Sequence, residues 1–134
     1  MKKIIFSLLV LTSIYISSCQ KDEDPTVNPT SIDGTWKSVE NSATYGAQNY
    51  YVDISTDSPN SNKKIIDNFF DLGLGKTVTA TKSGQTLTIS NAVQQGNTFN
   101  GSGTISSNNN SISWTYTVDD GNGPENVTAT YTKM

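Results

Sequence analysis

Histidine and arginine are both absent from this chain, and there is one cysteine, Cys19. Without histidine the most common general base and the most common zinc ligand are missing. With one cysteine no intrachain disulfide can form, so a small domain has to hold together by packing alone. Cations are few and all of them are lysine: nine against twelve acids, a formal net charge of −3. That balance, with no arginine to grip phosphate by two hydrogen bonds at once, is poorly suited to nucleic acid. One long apolar run exists, residues 4–16, and it is shorter than the ~20 residues a membrane-spanning helix needs. For acid–base chemistry only carboxylates remain. Asp53, Asp67 and Asp71 are the candidates for a glycosidase-like pair, which requires two carboxyls about 5 to 9 Å apart in a cleft. Asp53 is expected on a polar strand face and Asp71 in a turn, so no catalytic residue, cofactor or metal is assigned and a non-enzymatic protein is expected. The oxygen-rich run Asp119-Asp120-Gly121-Asn122-Gly123-Pro124-Glu125-Asn126 lacks EF-hand spacing and reads as a hairpin turn, since Asp-Gly and Asn-Gly are strong turn formers.

What is present begins with a leader. Lys2 and Lys3 provide its charged start, residues 4–16 its apolar stretch, and Ser17-Ser18-Cys19 a small-residue cleavage site ending in a thiol. This is the pattern of a lipoprotein address. Residues 1–18 are expected to be removed and Cys19 to carry acyl chains, each buried methylene of which contributes about 0.8 kcal/mol to membrane attachment. Residues 19–32 hold charges, Pro25 and Pro29 but no apolar periodicity, and read as a flexible tether. Fully extended, at roughly 3.3 Å per residue, such a tether reaches about 40 Å from the lipid heads. The residues just past the cysteine, Lys21-Asp22-Glu23-Asp24, resemble the export signal of Bacteroidota surface lipoproteins, and Gln20 differs from the aspartate that retains some lipoproteins at the inner membrane. That resemblance implies an outer-membrane location facing the cell exterior, with the periplasmic face as the alternative.

Residues 33–134 form one small domain, and its pattern is of period two nearly throughout. Tyr50, Val52 and Ile54 oppose Tyr51, Asp53 and Ser55; Ile112, Trp114, Tyr116 and Val118 oppose Ser113, Thr115 and Thr117. The same alternation sets Val78 and Ala80 among threonines, and Val127, Ala129 and Tyr131 among Thr128, Thr130 and Thr132. Asn- and Gly-rich turns punctuate these runs. Residues 43–48 read as a loop. Residues 63–75 depart from alternation: a strand followed by Phe69-Phe70-Asp71-Leu72-Gly73 bending across an open end of the sheet, or forming a short helical turn, is expected to cap the core. About eight strands result. The expected fold is all-β, an antiparallel up-and-down barrel, with a compact antiparallel sandwich as the alternative.

Ile32-Asp33-Gly34-Thr35-Trp36-Lys37 resembles the opening strand of lipocalin-like domains, whose Gly-x-Trp closes the barrel bottom, and Tyr131-Thr132-Lys133 is similar to a final strand. The layout also resembles small Bacteroidota surface lipoproteins of unknown function. Lipocalin-like folds often hold small apolar or amphipathic molecules inside the barrel, which implies a binding module. Trp36, Tyr50, Tyr51 and Trp114 are the candidate ligand-binding residues, because aromatic rings stack on sugars and other flat surfaces. Alternation nevertheless places Trp36, Trp114, Tyr116 and Tyr131 inward, and sends one of Tyr50 and Tyr51 outward. Two functions follow: a surface binding module for a small molecule, a glycan or a protein partner, or an accessory interaction lipoprotein with a filled core. A pocket touching Trp36, Trp114, Ala80, Ala129, Gly101 and Gly103 would favour the first.

Overall fold

The computed structural model describes residues 29–134. The leader, Cys19 and the Lys21-Asp22-Glu23-Asp24 cluster lie outside the described residues. Eight strands follow one another: β1 Gly34–Ser42, β2 Gly46–Thr56, β3 Lys63–Asp67, β4 Thr77–Ser83, β5 Thr86–Gln94, β6 Asn97–Ile105, β7 Ser111–Asp119 and β8 Pro124–Lys133. Each pairs antiparallel with the next, and β1 also pairs with β8, from Trp36↔Lys133 to Ser42↔Val127. The sheet is therefore a closed up-and-down barrel and not the alternative sandwich. Closure removes the exposed edges that an open sheet of this size would present.

Alternation dictates the interior. Tyr50, Val52 and Ile54 of β2, Ile112, Trp114, Tyr116 and Val118 of β7, and Val127, Ala129 and Tyr131 of β8 are buried, while the threonines between them lie outside or at partial exposure. Gly101 and Gly103 of β6 are where large rings find room. A Cβ on Gly101 would lie 2.3 Å from the Tyr116 Cβ, and one on Gly103 would lie 2.8–2.9 Å from the Trp114 ring. The two glycines act as sockets for the β7 aromatics directly across the ladder, since Gly101 pairs with Tyr116 and Gly103 with Trp114.

The two ends differ. At the base, Trp36 is fully buried and its indole N–H donates to the Ile32 carbonyl at 2.9 Å. The Lys133 ammonium lies 5.1 Å from the centre of that ring and donates to the carbonyls of Ser31 and Asp33. Residues 29–32, read from sequence as the end of the tether, are fastened here: Ile32 is 2% exposed, and the Asn109 side chain donates to the Pro29 carbonyl. The physical reason is that Ile32 is the apolar residue that covers the barrel floor. Lys64 is buried beside it and bridges to Asp33 at 2.8 Å. Burial works against the Asp33 charge, but hydrogen bonds from Lys64 and Thr56 and the positive charges of Lys64 and Lys133 prevail and hold its carboxyl below the ordinary range.

At the opposite end, the mouth, the expected loop over residues 43–48 is shorter than the sequence suggests. Pairing continues to Ser42↔Gly46. The Ser42 hydroxyl accepts the N–H groups of Thr44 and Tyr45, and Gly46 takes φ 71°, a turn conformation that an L side chain rarely adopts. The wall has its shortest pairing at the β4–β5 seam, with β2–β3 next, paired only from Asp53↔Asp67 to Thr56↔Lys64. β4 and β5 pair only at Thr81↔Thr88, Lys82↔Leu87 and Ser83↔Thr86 and part above that point, where β5 also carries a bulge against β6 between Ile89 and Ala92. A groove lined by Thr77, Thr79, Ser90, Ala92 and Val93 marks the gap on the outer wall.

Candidate functional site

The segment between β3 and β4 crosses the mouth and enters it. A single 3-10 turn, Phe69–Asp71, carries two buried phenylalanines. Phe69 is fully buried, with its ring 4.8 Å from Tyr116, 5.4 Å from Phe99 and 5.7 Å from Trp114. Phe70 lies one layer nearer solvent, against Phe99 and Tyr45. The capping role and the short helical turn expected from the sequence are thus both present in one segment. Its backbone is unusual: Asn68, Phe70 and Asp71 all have positive φ, at 60°, 59° and 53°. For a bulky residue such as Phe70 that conformation costs of order 1–3 kcal/mol and persists only where the surroundings enforce it. The enforcing contacts come largely from side chains. Asn68 donates to the Tyr51 carbonyl and accepts from the Gly73 N–H, and Asp67 accepts from the Gly75 N–H, all at 2.7 Å.

Opposite the phenylalanines, β1 presents a polar stripe. Counting inward from the rim, Ser42, Glu40 and Ser38 follow the same alternation that buries Trp36, and all three are buried. At the rim Glu125 accepts hydrogen bonds from Ser42 and Thr44. Deeper, one oxygen of Glu40, Oε2, accepts from both the Tyr50 and Tyr116 hydroxyls. The other oxygen, Oε1, is buried with no hydrogen-bond partner among the described residues, as is Trp114 Nε1, while the Ser38 and Tyr131 hydroxyls lie beside that of Tyr50. Leaving a polar atom buried and unpaired costs about 1–3 kcal/mol, and more for a charged group.

Electrostatics follow from this burial. Desolvation pushes the Glu40 carboxyl above the ordinary carboxylate range; the Tyr116 and Tyr50 hydrogen bonds oppose the rise, and the negative charges of Asp71 and Glu125 add to it. Burial, joined by the nearby Glu40 charge, also holds the hydroxyls of Tyr50, Tyr116 and Tyr131 protonated well above the ordinary phenol range. The cluster can donate and accept hydrogen bonds without itself carrying a mobile thiol or imidazole.

A pocket of about 180 Å³ opens at the mouth above the plug, lined by Thr44, Tyr45, Phe70, Asn97, Asp120 and Glu125 among others. A second hollow continues on the other side of Phe70 and shares Tyr45, Phe70 and Asn97 with it. The rim pocket combines an aromatic floor, two carboxylates and two amide side chains, those of Asn97 and Asn122. The run from Asp119 to Asn126 forms part of this rim as a hairpin turn, with Asp119 accepting the N–H groups of Gly121 and Gly123.

The structure distributes the sequence-expected aromatics unevenly. Trp36 lies at the base, away from the mouth pocket. Trp114 and Tyr50 are interior residues beneath the plug, and Tyr51, 55% exposed, points outward from β2. Tyr45, 61% exposed, is the aromatic side chain that stands at the rim. Sequence reasoning missed Glu40 and Ser38, although parity from Trp36 along β1 puts both inward.

No protein-family model matches the chain, and no curated protein matches it. Among solved structures it is similar to a redesigned β-barrel, b11L5F_LGL, with TM-score 0.55 and 14% identity, over 77% of this chain and 91% of that one. It is also similar to the redesigned barrel mFAP1 bound to DFHBI, with TM-score 0.54 and 19% identity, over 76% and 94% of the two chains. A protein of unknown function from Bacteroides ovatus shares the fold at TM-score 0.50 and 14% identity, over 75% of this chain and 41% of that one. At these identities the likeness shows an eight-stranded antiparallel barrel and nothing finer.

Proposed function

We propose that this protein is a non-enzymatic, lipid-anchored binding barrel of the outer-membrane surface that takes a small amphipathic molecule or sugar at its mouth. The observation that carries the reading is the rim pocket, where the exposed ring of Tyr45 and the face of Phe70 stand beside Glu125, Asp120, Asn97 and Asn122. An aromatic floor with convergent hydrogen-bonding groups is how a shallow site holds a molecule that is apolar on one side and polar on the other. Its volume of about 180 Å³ suits one ring or one sugar unit better than a drug-sized ligand. That designed barrels of the same fold were solved with DFHBI bound agrees with this use of the fold. The lipocalin-like resemblance supports it in the same way.

The placement of the ends supports the anchoring. The chain leaves the barrel at the base through residues 29–32, beside Lys64 and Lys133, whereas Asp71, Asp119, Asp120 and Glu125 belong to the mouth. A tether attached through Cys19 would therefore join the barrel at the end opposite the mouth. The second reading, an accessory lipoprotein with a filled core, is favoured by the close fit of Tyr116 on Gly101 and Trp114 on Gly103. The two separate in a titration of residues 29–134 with monosaccharides and small amphipaths, followed by amide NMR. Shifts at Tyr45, Asn97 and Glu125 that vanish in Tyr45→Ala are expected; a panel that moves none of them refutes the mouth as a small-molecule site. Cys19→Ala in the full chain should release the protein from membranes, and its retention there would refute lipid anchoring.

A further inference from the structure

The two shortest pairings of the barrel wall end differently. Where β2 outruns β3, the crossing segment covers the exposed backbone, and the Asn68 side chain donates to the Tyr51 carbonyl at 2.7 Å. Where β4 outruns its pairing with β5, no strand covers it among the described residues. In an antiparallel ladder successive residues turn their N–H and C=O groups to opposite neighbours. Lys82 donates its N–H to the Asn62 carbonyl, and the Lys76 carbonyl accepts from Asn68, both on the β3 side. The backbone groups of Thr77, Thr79 and Thr81 therefore face β5. Those of Thr81 meet Thr88, while Thr77 and Thr79 have no strand opposite them. From the other side, the Gln85 carbonyl accepts from Ile105 of β6, so Ser90, at the opposite parity, turns its own groups to the gap. The Gln94 side chain, which donates to the Thr77 carbonyl at 3.1 Å, reaches across the end nearest the mouth.

We propose that this gap takes an extended, uncharged segment of a partner protein as an added strand against β4, a mode of binding in which main-chain hydrogen bonds supply the affinity. The groove over the gap has a volume of about 550 Å³, with the apolar side chains of Val78 and Ala92 among the hydroxyls of Thr77, Thr79 and Ser90. None of the residues lining it is charged, so an ionic side chain entering it gives up water without meeting a counter-ion. The guest therefore alternates, with small or branched apolar residues toward Val78 and Ala92 and neutral ones outward. Strand edges are commonly guarded by lysine or proline; neither lines this one, and Val93 stands 69% exposed beside it. A free strand fits such a recess better than a second copy of the barrel does, because the strands of a closed barrel are already paired and its own gap is set into a wall. Charge and direction argue against the tether of the same chain. It leaves at the base, where Asn109 holds the Pro29 carbonyl, and at roughly 3.3 Å per residue the part long enough to reach Thr77 and Thr79 includes Asp22, Glu23 and Asp24.

The test uses residues 29–134, which carry all eight strands. The probe is a short acetylated and amidated peptide of alternating valine and threonine, and its control alternates glutamate and threonine. The neutral peptide should slow amide exchange at Thr79 by about tenfold or more. It should shift Thr77, Thr79 and Ser90 and leave Tyr45 and Glu125 unmoved, which separates the seam from the mouth. Thr79→Pro should abolish the shifts at Thr77 and Ser90, since it deletes an N–H that faces the gap and spares the bonds to β3. Val93→Lys, at an exposed position, should weaken binding by about tenfold with Tm unchanged, and answers the same question where Thr79→Pro does not fold. Equal protection by the charged peptide would overturn the assignment of a neutral partner. Seam shifts that grow with protein concentration in the absence of peptide would assign the gap to a second copy instead. Protection present in a lipid-free chain beginning at Gln20 and absent from residues 29–134 would assign it to the tether. A neutral peptide that moves no seam amide, or seam amides that exchange as slowly as those of β7 without it, would overturn the proposal outright.

Discussion

Gly101→Ala and Gly103→Ala test how tightly the β7 rings sit in the β6 sockets. On an ordinary strand, alanine for glycine is favourable by roughly 0.5–1 kcal/mol through backbone entropy. Neither glycine has a positive φ, so no conformational penalty applies to either substitution. The contacts decide the outcome. At Gly103 the new Cβ meets the Trp114 ring at 2.8–2.9 Å, and the ring can tilt; overpacking of this kind costs about 1–3 kcal/mol. At Gly101 it meets the Tyr116 Cβ at 2.3 Å and its Cα at 2.4 Å, atoms that move only with the β7 backbone. The cost at Gly101 should therefore reach or exceed the top of that range. For a domain of this size each kilocalorie lowers Tm by roughly 4–8 °C. Urea unfolding followed by tryptophan fluorescence should give wild type most stable, Gly103→Ala intermediate and Gly101→Ala least. Trp114→Phe should partly rescue Gly103→Ala, and not Gly101→Ala, in a double-mutant cycle. Two alanine variants as stable as wild type would refute the filled interior and enlarge the space available to a ligand.

Glu40→Gln carries a pH signature independent of ligand. Because the folded carboxyl titrates above its unfolded value, the native state holds the proton more firmly, so this group's contribution is fully present below the unfolded pKa of about 4.3 and is lost as pH rises through the folded pKa. The Tm difference, Glu40→Gln minus wild type, should increase with pH from about 4 upward; a flat difference would show that Glu40 is not desolvated. Native-state hydrogen exchange should find the seam: the amides of Thr77, Thr79 and Ser90, beyond the last β4–β5 pair at Thr81↔Thr88, should exchange faster than those of β7, which pairs along its whole length on both sides. Uniform protection across β4, β5 and β7 would contradict the gap.

The strands and their inward faces were largely legible because the period-two signal is a local consequence of strand geometry and assigns inside and outside residue by residue, whereas a sandwich would show the same alternation, so closure was not. Tyr50 went in and Tyr51 out for that reason. The plug was legible as an interruption: Phe69 and Phe70 are too apolar for a loop and too irregular for a strand, so they had to cover something. The site itself was less visible. Large aromatics are the obvious candidates in the sequence, yet Trp36 closes the base and Tyr51 faces outward, while Tyr45 sits in a turn whose residues carry no periodicity. Glu40 and Ser38 were missed because a charged or hydroxyl residue in a strand is read as outward by default, and here parity from Trp36 outranks polarity. Pairing across the ladder, not visible in one strand alone, matched Gly101 to Tyr116 and Gly103 to Trp114.

The buried carboxylate is the feature that a purely structural barrel explains least well. A fully apolar interior would be easier to stabilise, since replacing buried ionisable groups by packed apolar side chains is often neutral or stabilising. Here β1 places three consecutive inward polar residues between Trp36 and the rim, and two tyrosines from β2 and β7 spend their hydroxyls on one oxygen of Glu40. The arrangement fixes the side chain without satisfying it. The crossing segment beside it is strained as well, with Asn68, Phe70 and Asp71 all at positive φ. The seam, the plug and the unpaired oxygen thus mark the mouth half of the barrel as its adaptable part, while the base, with Ile32, Trp36 and Lys133 locked together, is its fixed one.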